Sequence, residues 1–187
     1  MKTIVVFASG FGSNAEKIIS YFADSKQISV SKIYTNISKA GVISRAEALG
    51  VATRVFDRNT FQKKVLFELL EQKPALIVLA GFLWKIPPSF IKAFPNKIIN
   101  IHPSLLPKYG GKGMYGRHVF EAIVANNEQE TGITIHYVNE HYDEGSIIFQ
   151  AKTTVKPTDT KADIAQKTHA LEHAHFAPQI QKLLQNT

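Results

Sequence analysis

Asn100 and His102 stand two positions apart where the apolar run Lys97 to Ile101 meets two prolines, Pro103 and Pro107. In a strand, side chains at i and i+2 share a face, so the amide and the imidazole project together. Pro103 forces an extended backbone on His102, and the strand ends there. A carboxamide can donate to a developing oxyanion and an imidazole can carry a proton near neutral pH, which is a minimal kit for acyl transfer. The same pair also serves as a plain hydrogen-bonded strand end, and spacing alone leaves both readings open. Asp143, in the acidic segment Asn139-Glu-His-Tyr-Asp-Glu-Gly145, is a carboxylate that could reach the imidazole. Beside it the charged ring is favoured and its pKa is expected to rise. Taken alone, Asp143 is an ordinary turn residue.

A second polar cluster, Ala8-Ser-Gly-Phe-Gly-Ser-Asn14, follows the β-branched and aromatic run Thr3 to Phe7. It precedes Ala15 to Phe22, where Ile18, Ile19 and Phe22 keep helical spacing. Strand, glycine-rich turn and helix together aim free N–H groups at whatever lies above the sheet, which makes a phosphate site. Ser13 with Glu16 three residues on also fits a capping box, a structural role compatible with the first. Gly10, Gly12 and Ala15 match the dinucleotide fingerprint. That fingerprint needs an acidic residue at the end of the second strand. The second strand, Ser29 to Tyr34, ends instead in Thr35-Asn36, so a monophosphate fits better than a dinucleotide. His169-Ala-Leu-Glu172-His173 has zinc-peptidase spacing, but no third-ligand segment accompanies it and no metal is assigned.

These clusters need a frame, and the rest of the chain supplies one. Helices are predicted near Ala40 to Leu49 and over Thr60 to Glu71, with strands Ala52 to Phe56 and Ala75 to Ala80. Alternating strands and helices indicate an α/β fold with a mostly parallel central sheet, helices on both faces and ligands outside the carboxyl ends of the strands. The segments 8–14, 35–36, 57–58, 81–87 and 100–116 therefore share one rim. Gly81-Phe-Leu-Trp-Lys-Ile-Pro-Pro88 brings an aromatic and aliphatic load to that rim, either as a slot for a flat ligand or as core packing, before a short helix Ser89 to Phe94. Lys108 to His118 carries four glycines in eleven residues and reads as a flap. A helix Arg117 to Ala125, strands Gly132 to Val138 and Ser146 to Val155, and a helix Thr160 to Leu184 complete the chain, with Pro178 expected to kink or break the last.

With 187 residues, 44% hydrophobic and 20% charged, the composition is that of one globular domain spanning 1–187. No cysteine is present, which excludes disulfides, thiolate metal sites and a cysteine nucleophile, and suits the cytoplasm. The amino-terminal charge and apolar run are too short for a signal peptide, and no run approaches the roughly 20 residues that span a bilayer. A net charge of +7 admits an anionic partner, yet Lys63-Lys64 is the only adjacent basic pair and no nucleic-acid arm stands out.

Gly12-Ser-Asn14, the Gly81-Phe82 loop, Asn100-Ile-His-Pro-Ser-Leu-Leu-Pro-Lys108, the acidic loop through Asp143 and Gly145, and Glu172-His173 together resemble the folate-dependent phosphoribosylglycinamide formyltransferases. The resemblance spans nearly the whole chain and implies a single-domain, Rossmann-like formyltransferase fold. It implies that 10-formyltetrahydrofolate, as cosubstrate, gives its formyl group to the glycine amine of phosphoribosylglycinamide, without a metal. Carried over, Gly12, Ser13 and Asn14 would hold the substrate phosphate and Glu172 the ribose hydroxyls. Leu83, Trp84, Lys85 and Ile86, with Arg58 and the 139–143 loop, would hold the folate. Asn100 and His102 would stabilise the oxyanion, His102 would donate a proton, and Asp143 would keep its ring charged. The implied partners are these small molecules, with no nucleic acid or membrane, in a monomer or homodimer. Three positions depart from the family: Trp84 stands where many relatives have Arg, His169 where they often have Gln or Lys near the phosphate, and Gly110-Gly111-Lys112 where Pro-Gly is common. Relatives that formylate methionyl-tRNA or hydrolyse formyltetrahydrofolate carry an additional domain, for which the sequence leaves no residues.

Overall fold

The computed structural model describes residues 1–185. Its strands are β1 (Lys2–Phe7), β2 (Ile28–Thr35), β3 (Thr53–Val55), β4 (Leu76–Leu79), β5 (Ile98–His102), β6 (Glu130–Tyr137) and β7 (Ile147–Thr154). They form one sheet in the order β3-β2-β1-β4-β5-β6-β7. The first five strands are mutually parallel, while β6 runs antiparallel to β5 and β7 antiparallel to β6. The central parallel strands β1 and β4 carry continuous apolar runs, at 4–7 and 76–79, buried on both faces as a helix-covered sheet requires.

The helices are α1 (Ser13–Phe22), α2 (Gly41–Ala48), α3 (Arg58–Thr60), α4 (Leu66–Gln72), α5 (Pro88–Ala93), α6 (Arg117–Ala125) and α7 (Lys161–Gln185). One core layer joins Ile18, Ile19 and Phe22 of α1, Val42 and Ala46 of α2, and Phe176, Ala177 and Ile180 of α7 to Ile99, Ile101, Ile133 and Ile135 of the sheet. The opposite layer joins Phe61, Val65, Leu69, Phe90 and Phe94 to Phe7, Ile77, Leu79 and Ile98. Because β5 alternates, Ile99 and Ile101 enter the first layer while Ile98 enters the second. Asn100 and His102 share the face of Ile98, at the carboxyl edge of the sheet.

Three expectations change. Ser13 is the first residue of α1 rather than its cap: the capping position belongs to Gly12 (φ 84°), and no side chain caps the helix. Glu16, the other half of the expected box, pairs with Arg45 of α2 instead. The helix expected over 60–71 begins at Arg58, behind an Asp57–Thr60 capping box, and passes through a π-helical turn at Phe61–Val65 before α4. Pro178 does not break α7, which is continuous from Lys161 to Gln185, because the flanking Phe176, Ala177 and Ile180 seat both halves on the same core.

Candidate active site

The Asn100–His102 pair sits on the end of β5, opposite β6, with Asn100 paired to His136 and His102 to Thr134 in the ladder. His102 is 4% exposed. Its Nε2–H donates to the Tyr109 carbonyl at 2.7 Å, which fixes the proton on that nitrogen and turns Nδ1 toward Asp143 Oδ2 at 3.6 Å. Asp143 reaches this position at the tip of the 139–145 loop with a left-handed backbone (φ 57°). Gly145 lets the loop return: a Cβ there would lie 1.7 Å from the Tyr137 carbonyl oxygen. The Gly111 N–H donates to Asp143 Oδ2 at 2.9 Å.

Burial is the largest influence on the His102 ring and pushes its pKa below the ordinary imidazole value; the Asp143 carboxylate and the Tyr109 carbonyl pull it back only in part. The expected rise is therefore corrected: desolvation of a ring sealed at the strand end outweighs the neighbouring charge. For Asp143, burial would raise the pKa, but His136, His102 and the Gly111 N–H together outweigh it and hold the carboxyl below its ordinary range.

His136 is a member of the cluster that sequence reasoning passed over. It is 2% exposed, its Nδ1–H donates to the Tyr137 carbonyl at 2.9 Å, and its Nε2 then accepts the Asn100 Nδ2–H at 3.1 Å. Its Nε2 also lies 3.7 Å from Asp143 Oδ1. This orients the Asn100 amide and leaves its second N–H free to donate to a ligand. The available signal was alternation along β6: Ile133 and Ile135 fill the core, so His136 faces the side that Asn100 and His102 share. Behind it, the Thr134 hydroxyl donates to the Ser104 carbonyl at 2.7 Å and accepts from Leu106 N–H and Gln150 Nε2, fastening the Pro103–Pro107 turn to β6.

A cleft open to solvent leads to this cluster between the 82–86 and 138–143 segments. Leu83, Trp84, Ile86 and Val138 give it apolar walls, and Asn100, His136 and Asp143 make its polar end. Trp84 serves both roles open to it: it packs on Phe56 and Phe61 and also lines the cleft, with the Arg58 guanidinium 4.5 Å from its ring. Ile86 is 3% exposed and belongs mainly to the core. Lys85 is exposed, its Nζ 5.4 Å from the Tyr142 ring.

On the other face of the sheet, Gly12, Ser13 and Asn14 open α1. Asn14 Nδ2 donates to Glu172 Oε2 at 2.8 Å, and Asn14 Oδ1 is buried without a hydrogen-bond partner. Glu172, 6% exposed on α7, has its pKa raised by burial, against the lowering effects of Asn14 and His169. His169, one turn earlier, is exposed, its ring edge-on to Phe120. Buried Ser9 ties the two halves of the rim: its N–H donates to the Gly81 carbonyl, and its hydroxyl accepts the Leu83 N–H at 3.0 Å and donates to Asn36 Oδ1 at 2.6 Å. Among the described residues, no group of three or more His, Asp or Glu could hold a metal ion, so His169, Glu172 and His173 do not converge on one.

The site is thus an amide, an imidazole and a carboxylate at the end of an apolar cleft, beside a glycine turn at a helix N-terminus. Residues 2–180 match the profile of the formyl transferase family. This chain belongs to that family. Among formyl transferases, the phosphoribosylglycinamide formyltransferase of Bacillus subtilis (strain 168) is 38% identical, covering 98% of this chain and 95% of that protein. The chloroplastic phosphoribosylglycinamide formyltransferase of Arabidopsis thaliana is 36% identical over 92% of this chain, which spans 62% of that relative. The crystal structure of the phosphoribosylglycinamide formyltransferase from Anaplasma phagocytophilum superposes with a TM-score of 0.90 at 31% identity, covering 99% of this chain and 88% of that one. This agrees with the Rossmann-like α/β architecture described above.

Proposed function

We propose that this chain is a phosphoribosylglycinamide formyltransferase, which moves the formyl group of 10-formyltetrahydrofolate to the glycine amine of phosphoribosylglycinamide. The products are formylglycinamide ribonucleotide and tetrahydrofolate, a step of purine biosynthesis. The observation that carries the reading is the convergence of Asn100 and Asp143 at the inner end of the apolar cleft, with the buried His102 ring 3.6 Å from the Asp143 carboxylate, in a chain of this family. The cleft fits the cosubstrate: its apolar walls suit a flat ring, and Arg58 and Lys85 offer cations for carboxylates. When bound, the folate supplies an activated formyl carbon.

The chain's own residues do the rest. The N–H groups of Gly12, Ser13 and Asn14 hold the phosphate at the positive end of α1, with His169 at its exposed side. The Glu172 carboxylate, steered by the Asn14 amide, accepts from ribose hydroxyls. Asn100 donates from Nδ2 to the formyl oxygen as negative charge grows on it. His102, held by the Tyr109 carbonyl, stabilises that charge and, in the protonated form that Asp143 favours against burial, delivers a proton to the departing folate nitrogen. Leu83, Trp84, Lys85 and Ile86 orient the folate, and closing the cleft around it excludes water that would otherwise take the formyl group. We read residues 1–187 as one formyltransferase domain, acting on small molecules in the cytoplasm as a monomer or homodimer.

Purified protein mixed with phosphoribosylglycinamide and 10-formyltetrahydrofolate is expected to produce tetrahydrofolate in step with the formylated amine, and to stay silent without the amine. Release of formate in the absence of amine, or no turnover with both substrates, contradicts the proposal.

A further inference from the structure

We propose that Glu128, outside the cleft, is a positioning residue for the His102–Asp143 pair, acting through the main chain of residues 108–111. Glu128 Oε1 accepts the Tyr109 hydroxyl at 2.8 Å and Lys108 Nζ at 2.9 Å. From these two adjacent side chains the backbone turns back to the site. The Ser104 hydroxyl donates to the Lys108 carbonyl at 2.6 Å, the Tyr109 carbonyl takes the His102 Nε2–H at 2.7 Å, and the Gly111 N–H holds Asp143 Oδ2 at 2.9 Å. One four-residue stretch therefore brackets both reacting side chains with peptide groups.

The bracket needs an anchor. Tyr109 has φ 56°, a left-handed backbone that a bulky residue keeps only when its surroundings impose it. Its ring packs on the cluster of Val119, Phe120 and Ile123, and its hydroxyl ends on Glu128. Glu128 is itself fixed: it follows α6, and its N–H donates to the Ile123 carbonyl at 3.2 Å. The Lys108 and Tyr109 hydrogen bonds hold its carboxyl below the ordinary range, so it is a charged acceptor at neutral pH. The contact thus transmits the position of the α6–β6 turn to the carbonyl that sets the tautomer of His102. The charged and titratable groups facing His102 itself are Asp143 from the 139–145 loop and His136 from β6. Glu128 and Lys108 stand behind Tyr109 and reach the ring only through its backbone.

The inference rests on the proposed reaction only for its kinetic consequence, so its test begins with the ring. Spectra of the full chain labelled with 15N-histidine report the tautomer and titration of His102 without substrate. In the wild type, the neutral ring is expected as the Nε2–H tautomer. In Tyr109→Phe and Glu128→Ala the Nδ1–H form is expected to appear and the ring to titrate at lower pH, because the protonated ring loses its carbonyl acceptor. Glu128→Gln, whose amide oxygen still accepts the Tyr109 hydroxyl, is expected to stay with the wild type, while Tyr109→Phe, which keeps the packed ring and removes only the hydroxyl, separates the hydrogen bond from bulk packing. In the transfer assay, Tyr109→Phe and Glu128→Ala are expected to lower kcat about tenfold with both KM values within about twofold. A His102 tautomer and titration unchanged in both variants overturns the proposal, whatever happens to activity. Absence of transfer in the wild type would remove the proposed function while leaving the ring measurement decisive.

Discussion

At the scale of single residues, the His102 ring answers to opposing demands. Burial favours its neutral form, while Asp143 and the Tyr109 carbonyl favour the charged one that can hand over a proton. Asp143→Asn keeps the shape and removes the charge, so the ring is expected to titrate at still lower pH. If the charged ring is the working form, kcat falls as pH rises through that titration, and the substitution moves the fall toward acid while lowering kcat about 100-fold at neutral pH. A pH–rate profile checks this; an unmoved limb would detach Asp143 from the ring. Asn100, His102 and Asp143 were legible in the sequence because proline punctuation and period-2 spacing put two of them on one strand end, while the acidic 139–145 segment offered the third, an ordinary turn residue until the family resemblance gave it weight. His136 was not. Its meaning arises only when β6 pairs with β5 and sets it against Asn100, a tertiary fact that local pattern does not carry. The Tyr109 carbonyl was invisible for a simpler reason: main-chain acceptors have no side-chain signature.

At the scale of elements, the first turn decides the shape of the site proposed for the phosphate. Gly12 has φ 84°, and a Cβ there would lie 2.5 Å from Val42 Cβ on α2. Gly12→Ala combines a strained backbone with a forced displacement of α2, and is expected to cost about 2 kcal/mol of stability. Chemical denaturation measures that loss, and the KM for the phosphorylated substrate is expected to rise more than that for the folate. Equal stability would show that the α1–α2 contact yields. Strand, turn and helix were readable here from β-branched residues, glycines and helical spacing. The cap was misread because Ser13 has the right chemistry one position too late: Gly12 takes the left-handed step, so Ser13 is already helical, and Glu16 finds Arg45 across the helix pair. Sequence periodicity likewise does not reveal the π-helical turn at Phe61–Val65, where packing on the aromatic layer prevails over regular winding.

At the scale of the whole molecule, the sheet brings the proposed folate and phosphate sites from opposite faces to one rim, and the proposed ribose contact at Glu172 weighs against stability. Its carboxyl is buried, with a raised pKa, so the charged form weighs against folding: the raised value contributes stability below the unfolded carboxyl pKa and loses it as pH rises through the folded one. Glu172→Gln is therefore expected to raise Tm at neutral pH by about 2–4 °C while weakening substrate binding, which calorimetry and KM check together. His102 and His173 act with the opposite sign: burial lowers both, so their stabilising effect holds above the ordinary imidazole pKa and fades as acid reaches the folded values. The alternation of strands and helices made this architecture readable at once, whereas the balance of buried charge needed coordinates. The most direct test of the central claim is steady-state transfer from 10-formyltetrahydrofolate to phosphoribosylglycinamide by His102→Ala beside the wild type. The account predicts a loss of at least about 100-fold in kcat with the fold intact; transfer within about twofold of the wild type would contradict it.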